Sequence, residues 1–227
     1  MEYTGGNDTS IYEGKVTKLK GNGDFRDEEC INILKETDIV CTNPPFSLFR
    51  EYLAQLIEYN KQFIIIAPLN ALKYKEIFPL FMANKIWTGY TLRGTGTHWF
   101  GVPLTYNKGK TKVVDGVKYA TIGSAMWFTN LDIIKRHEPL DLIEKYSPEK
   151  YPKYDNYDAI NVNRIYDIPY DYDGVMGVPI TFMDKYCPEQ FEIIGLDRYT
   201  IPKEKLVAGS SSLNGKPIYT RIYIKKR

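Results

Sequence analysis

The sequence predicts an α/β fold: a mostly parallel, doubly wound sheet with an antiparallel end, followed by a loop-rich carboxyl-terminal lobe. Three observations carry that expectation. Apolar runs suited to strands alternate with amphipathic helical stretches up to about residue 82, as βαβ units around a parallel sheet do. From residue 85 to residue 129, short strand-like segments follow one another with brief connections, which suits antiparallel pairing. Beyond residue 139 the chain is rich in Tyr, Asp, Asn and Pro and has no clear period. Two parts follow: a core over residues 1–138, and a lobe over residues 139–227 packed on the same core.

Taken in order, residues 1–14 are polar and glycine-bearing and read as a loop. Residues 15–19 read as a short strand, ended by the turn Gly21-Asn22-Gly23. A helix over residues 27–35 carries Asp27, Glu28 and Glu29 at its amino end, where carboxylates favour the helix dipole. The next strand, residues 38–42, stops abruptly at Asn43-Pro44-Pro45-Phe46. Prolines lack the backbone N–H and push their predecessors out of the helical region, so the strand must end at Asn43. Leu48, Phe49, Tyr52, Leu53, Leu56 and Ile57 then recur at helical spacing. Phe63-Ile64-Ile65-Ile66 is a continuous apolar run, as in a strand covered on both faces. A helix at residues 74–82 is disturbed by Pro79. Strands follow at 85–92, 98–106, 111–114, 117–119 and 121–129, with Asp115-Gly116 as a two-residue hairpin turn. Strands at 191–195 and 219–224 close the chain, with residues 209–212 as a flexible tip between them.

Composition narrows the class. At 227 residues and 43% hydrophobic, the chain holds a real core. A net charge of +2 does not announce a nucleic-acid binder. Local basic clusters at residues 108–112 and 225–227 suit either a phosphate backbone or a solvated surface. Nineteen tyrosines suit base stacking or ordinary packing. Cys30, Cys41 and Cys187 lack metal spacing and read as reduced core thiols. His98 and His137 have no partners for a zinc site, so no metal is expected. No apolar stretch is long enough to span a membrane and the start is polar, so a cytoplasmic protein is expected.

The end of the strand at Asn43 faces the crevice outside the carboxyl ends of the strands, where open α/β sheets keep their ligands. An amide, a bare carbonyl and an aromatic ring side by side can grip a flat base carrying an amino group. Asn43-Pro44-Pro45-Phe46 resembles the tetrapeptide of amino-directed, S-adenosylmethionine-dependent methyltransferases. An aromatic amine is a poor nucleophile because its lone pair is delocalised into the ring. Hydrogen bonds from the amine to the Asn43 oxygen and the Pro44 carbonyl would let the nitrogen become pyramidal and stabilise its developing charge. Phe46 would stack on the base and hold it in line with the methyl group. In duplex DNA the base must first swing out of the helix, which calls for aromatic walls on both faces. The bland reading is a strand-ending turn.

Asp24-Phe25 stands at a strand end with one helix between it and Asn43. Asp24 could accept from a cofactor's adenine amine with Phe25 beside the ring, or could cap the helix that follows. Lys20-Gly21-Asn22-Gly23 is not a phosphate loop, since no acidic residue sits about 20 positions on at a second strand end.

With these stretches quoted, the chain resembles the adenine-specific DNA modification methylases of the EcoRI type. The resemblance rests on Leu19-Lys-Gly-Asn-Gly-Asp-Phe-Arg26, Asn43-Pro-Pro-Phe-Ser-Leu-Phe-Arg-Glu-Tyr52, Trp127-Phe-Thr-Asn-Leu-Asp132 with Lys135-Arg136, Tyr154-Asp-Asn-Tyr-Asp-Ala-Ile-Asn161 and Asp173-Gly-Val-Met-Gly-Val-Pro-Ile-Thr-Phe182. It implies a Rossmann-like fold, S-adenosylmethionine as donor, adenine in double-stranded DNA as acceptor, and a place in restriction–modification. It makes Asn43, Pro44, Pro45 and Phe46 catalytic and puts Asp24 and Phe25 on the donor's adenine. Trp127 or Phe128 becomes the second wall around the flipped base, with core packing as the alternative. Members of the family carry a longer amino-terminal part whose first strand lies beside the strand ending in Asn43. Nothing in residues 1–20 matches it, so the expectation is an incomplete core that holds the donor weakly unless a separate chain supplies that strand. Two other functions stay open: a catalytically dead binding derivative of the fold, and a methyltransferase acting on a protein glutamine amide.

Overall fold

The computed structural model of the protein describes residues 18–90, 99–121 and 125–227. The expected loop at 1–14 and most of the strand at 15–19 lie outside these residues, as do parts of the strands expected at 85–92, 98–106 and 121–129. Lys18 and Leu19 themselves form no strand. The architecture is mixed α/β with mixed sheets.

The first unit begins with α1 (Glu28–Glu36), whose first turn holds Glu28 and Glu29 as expected. The Glu29 carboxylate accepts from the backbone N–H groups of Lys20 and Gly21 and ties that turn to the helix. β1 (Ile39–Thr42) and β2 (Gln62–Pro68) run parallel, joined across the sheet by a single 3₁₀ turn (Phe46–Leu48) and α2 (Phe49–Glu58). Phe49, Leu53 and Leu56 form the buried stripe of α2 and pack over Phe63 and Ile65. The Lys61 amine donates to the carbonyls of Lys35 and Thr37 and so satisfies the carboxyl end of α1.

After a second 3₁₀ turn (Leu69–Lys73) comes α3 (Phe78–Met82). Pro79 was expected to disturb a longer helix; it stands instead in the first turn of a short one, where its missing N–H would have had no partner. β3 (Trp87–Thr88), β4 (Trp99–Val102), β5 (Lys110–Val114), β6 (Val117–Thr121) and β7 (Ala125–Thr129) follow. The first sheet has the order β1-β2-β7-β3, with β7 antiparallel to both neighbours. β4, β6 and β5 form a separate antiparallel sheet. Its hairpin turns on Asp115 and Gly116, both at positive φ (50° and 76°), the geometry that matches strand twist.

In the carboxyl-terminal part, β8 (Ile160–Asn161), β9 (Met176–Pro179), β10 (Phe191–Leu196), the single turn α4 (Asp197–Thr200), the pair β11 (Ser212–Leu213) and β12 (Lys216–Pro217), and β13 (Arg221–Lys226) complete the chain. The main sheet here has the order β10-β13-β9-β8. The long stretch at 139–172 is ordered by its own rings: Tyr151 and Tyr154 are buried, and the Tyr151 hydroxyl donates to the Asp167 carbonyl. Residues 209–212 are no flexible tip. Ser211 and Ser212 are buried, the Ser211 hydroxyl meets that of Tyr223 at 2.9 Å, and Asn156 holds both flanks. One hydrophobic cluster runs from Phe49 and Phe128 through Ile160, Met176 and Phe191 to Ile224, so both sheets share a core. The Tyr199 hydroxyl also crosses to the Lys73 carbonyl, and that of Thr88 to the Met183 carbonyl.

All three cysteines are free; Cys187 is buried, whereas Cys41 is exposed on β1 and is not the core thiol expected of it. Among the described residues no helix is long and apolar enough to cross a membrane, and no cluster of three or more metal-ligating side chains occurs.

His137 links two segments of this assembly. Its Nε2 faces Asp132 at 2.7 Å and its Nδ1 faces Glu189 at 2.8 Å. The hydrogen bond to Asp132, and then that to Glu189, raise its pKa above the ordinary 6.5. A raised folded-state pKa gives stability that is complete below about pH 6.5 and lost as pH climbs through the folded value. The melting-temperature gap between the wild-type protein and His137→Gln should therefore narrow between about pH 6 and about pH 9. A gap independent of pH would show that the clip carries no charge.

Candidate functional site

The site begins where β1 runs out. The last paired positions are Thr42 and Ile65, and Pro44 and Pro45 offer no N–H to continue the ladder. Pro44 is buried and anchors the turn; the carbonyl of Pro45 accepts from Leu48 N and starts the 3₁₀ turn into α2. Asn43 and Phe46 on either side are exposed, the Phe46 ring by 41%. Among the described residues, no hydrogen bond engages the Asn43 side chain. Asn130 contrasts with it: its carboxamide clasps Phe63 N and the Lys61 carbonyl at the other end of β2. The exposed ring and the unengaged amide thus stand on either side of a turn anchored by the buried Pro44.

Register places Trp127 level with Asn43 across the sheet. One step beyond the Thr42–Ile65 pair, Asn43 is level with Ile66, and Ile66 is paired with Trp127 on β7. Two strand spacings separate Asn43 from Trp127, about 10 Å. Trp127 is half-buried and lies on the sheet face away from α2. Gly89 makes room for it: a Cβ there would stand 2.7 Å from the Trp127 Cβ, while Gly89 N donates to the Trp127 carbonyl at 2.9 Å. Phe128, on the other face, is fully buried between Phe49 and Phe81, with ring centroids 5.7 and 5.1 Å away. Of the two rings considered for a base wall, Trp127 keeps open surface and Phe128 is core.

Asp24 and Phe25 dock on the first turns of α2. The Phe25 ring meets Tyr52 edge to face at 5.1 Å, and its carbonyl accepts from Gln55 Nε2 at 3.1 Å. Asp24 is held by Arg26, whose Nε and Nη2 donate to its two oxygens at 2.9 and 2.7 Å, while Arg26 Nη1 reaches Glu51. The hydrogen bond from the Arg26 side chain holds the Asp24 carboxyl down at about 2. Asp24 does not cap α1, since Asp27 occupies that position. An open groove of about 350 Å³ lies beside Phe25, lined also by Gly23, Ile33, Ile39, Cys41 and Tyr52. Its β1 residues, Ile39, Val40 and Cys41, belong to a strand whose outer edge pairs with no other strand among the described residues. Arg26, Glu51, Tyr52 and Gln55, which hold Asp24 and Phe25, were not read from the sequence as site residues. Glu51, Tyr52 and Gln55 lie within one turn of α2, and that shared face was the available signal.

The sequence model of the family described as adenine-specific methyltransferase EcoRI matches residues 2–227. The Type II methyltransferase M.EcoRI of Escherichia coli is 50% identical over 217 residues, covering 93% of this chain and 64% of that protein. The chain therefore spans less than two thirds of the length of M.EcoRI. The Type II methyltransferase M.MgeORF184P of Mycoplasma genitalium is 42% identical over 230 aligned positions, gaps included, in a match that covers 93% of this chain and 71% of the relative. M.MpnI of Mycoplasma pneumoniae, also a Type II methyltransferase, is 36% identical over 238 aligned positions, and the match covers 95% of this chain and 73% of the relative. No solved structure gives a significant match.

An amide that makes no hydrogen bond among the described residues contributes little to the stability of the fold. Asn43→Ala should leave unfolding free energy within about 0.5 kcal/mol of wild type, whereas Phe49→Ala, in the core beside it, should cost about 3–5 kcal/mol. Denaturant unfolding of both variants checks this, and a loss at Asn43 comparable to that at Phe49 would make the tetrapeptide a structural turn.

Proposed function

The chain belongs to the family of EcoRI adenine-specific methyltransferases, and on that premise we propose that it methylates the exocyclic amine of adenine in duplex DNA. The observation that carries this reading is the unengaged Asn43 amide beside the exposed Phe46 ring, level in the sheet with Trp127.

The methyl donor implied by the family is S-adenosylmethionine, which supplies an electrophilic methyl on a sulfonium. The groove beside β1 suits its adenosine end: Phe25 offers a ring edge, Ile33 and Ile39 offer apolar walls, and Asp24 is next to Phe25 in the chain. Arg26 occupies part of the Asp24 carboxylate, yet a carboxylate has about four acceptor sites, so capacity remains for an adenine amine. On the acceptor side, Asn43 Oδ1 and the Pro44 carbonyl take hydrogen bonds from the target amine. Those bonds draw its lone pair out of conjugation and meet the positive charge as it develops. Phe46 stacks on the flipped base, and Trp127 closes the opposite side. No general base is required, because the alkylated amine sheds its proton readily.

We read the first sheet as part of a Rossmann-like, doubly wound sheet. The support is the parallel β1–β2 pair with α2 as its crossover. Among the described residues β1 also has one unpaired edge, and on the sheet face away from α2 both Ile39 and Cys41 are exposed. A further strand on that edge, from a separate chain, would complete the donor wall. In this reading residues 1–138 form the transfer core and 139–227 the target-recognition part, and the protein works in the cytoplasm as the modification half of a restriction–modification pair.

Incubated with donor labelled in its methyl group and with duplex DNA, the protein should place label in DNA and not in protein. Asn43→Ala should slow this by about a hundredfold or more. Label recovered in protein, or DNA labelling that survives the substitution, would overturn the proposal.

A further inference from the structure

The sheet β4-β6-β5 contributes no residue to either hydrophobic cluster of the described chain. Twenty-three consecutive residues, 99–121, are folded into an ordered antiparallel sheet that does little for the core. Their charge is one-sided: Lys108, Lys110, Lys112 and Lys118 face only one acid, Asp115 at the hairpin turn. Strand register sorts them. Lys110 is level with Thr121 and Lys112 with Tyr119, while Trp99 and Gly101 are level with the same two residues from the other side. Partners in register share a face, so Lys110, Lys112, Tyr119 and Trp99 lie on one side of the sheet. The Lys112 ammonium sits 4.5 Å from the Trp99 ring centroid, which confirms that grouping. Lys118 is on the other side, where it donates to the Leu104 carbonyl. Every residue of β5 is exposed, and Lys108 extends its lysine row into the preceding loop.

From this we propose that the Lys108–Lys110–Lys112 row of the β4-β6-β5 sheet is a clamp on the phosphate backbone of duplex DNA. The proposal rests on the DNA reading of the tetrapeptide and names a surface outside it. Two features favour DNA as the occupant. Lys110 and Lys112, two residues apart on extended β5, stand about 6.6 Å apart, close to the spacing of successive phosphates along one strand. The aromatic and apolar surface of the same ribbon, with Val113 60% exposed at its tip, is poorly suited to solvent alone. A competing account is that lysines on an edge strand merely prevent edge-to-edge pairing between molecules.

The test is fluorescence anisotropy of a labelled mixed-sequence duplex, read over a salt series, with wild-type protein and the Lys108→Gln/Lys110→Gln/Lys112→Gln variant. The expected result is a salt-dependence slope shallower by about 2–3 and affinity weaker by roughly tenfold or more at about 0.1 M salt. The control Lys203→Gln/Lys205→Gln should bind as wild type does, and circular dichroism should show both variants folded. If the triple variant binds DNA with wild-type affinity and slope, the clamp is refuted while the methyltransferase reading stands; self-association of that variant would then assign the lysines to edge protection. An equal loss in the control would also refute it. If wild-type protein binds no duplex at all, both readings fall.

Discussion

Two adjacent prolines after a four-residue strand set the terms for everything else in this protein. Because neither can donate to the sheet, β1 gives up its partner after Thr42, and Asn43 emerges at the carboxyl edge with its amide unspent. Pro44 is buried, which fixes the turn, and the 3₁₀ turn at Phe46 passes directly into α2. The helix is held in turn by Phe49 against Phe128, whose other side meets Phe81. The core therefore stiffens the same turn that presents the amide and the ring. On the proposed reading, groups held in this way need no rearrangement when charge develops.

α2 serves both halves of the candidate site. Its amino-terminal end carries Phe46 and Leu48, and its first two turns hold Phe25 through Tyr52 and Gln55 and Arg26 through Glu51. A shift of this helix would move the Asn43–Phe46 turn and Asp24-Phe25 together. Among the described residues, one edge of β1 pairs with no strand. An unpaired edge in an apolar strand invites pairing, and Ile39, Val40 and Cys41 of that strand line the groove of about 350 Å³.

Much of this was legible in the sequence, for physical reasons that can be named. The proline pair, the continuous run into β2 and the helical stripe of α2 gave the turn at Asn43 and its scaffold, because each is a local signal. Asp115-Gly116 gave its hairpin for the same reason, and Asn214-Gly215 at the β11–β12 turn carried an equal signal that was overlooked. What failed depended on distant partners. Residues 209–212 looked flexible because their burial comes from Tyr223 and Asn156. Cys41 looked like a core thiol because its exposure depends on what covers one face of β1. The choice between Trp127 and Phe128 hung on strand parity, and neighbouring residues of a strand always face opposite ways. The pairing of Asp24 with Arg26, two residues on, was local and still unseen, since many side chains could have taken that carboxylate.

The central claim is that the Asn43 grip acts on the amine of adenine and on no other group. Mass spectrometry of nucleosides released from duplex DNA, after incubation with protein and S-adenosylmethionine, tests it most directly. The account predicts N6-methyl-2′-deoxyadenosine as the sole methylated nucleoside, absent when Asn43 is alanine. Methylated cytosine in place of methylated adenine would contradict it.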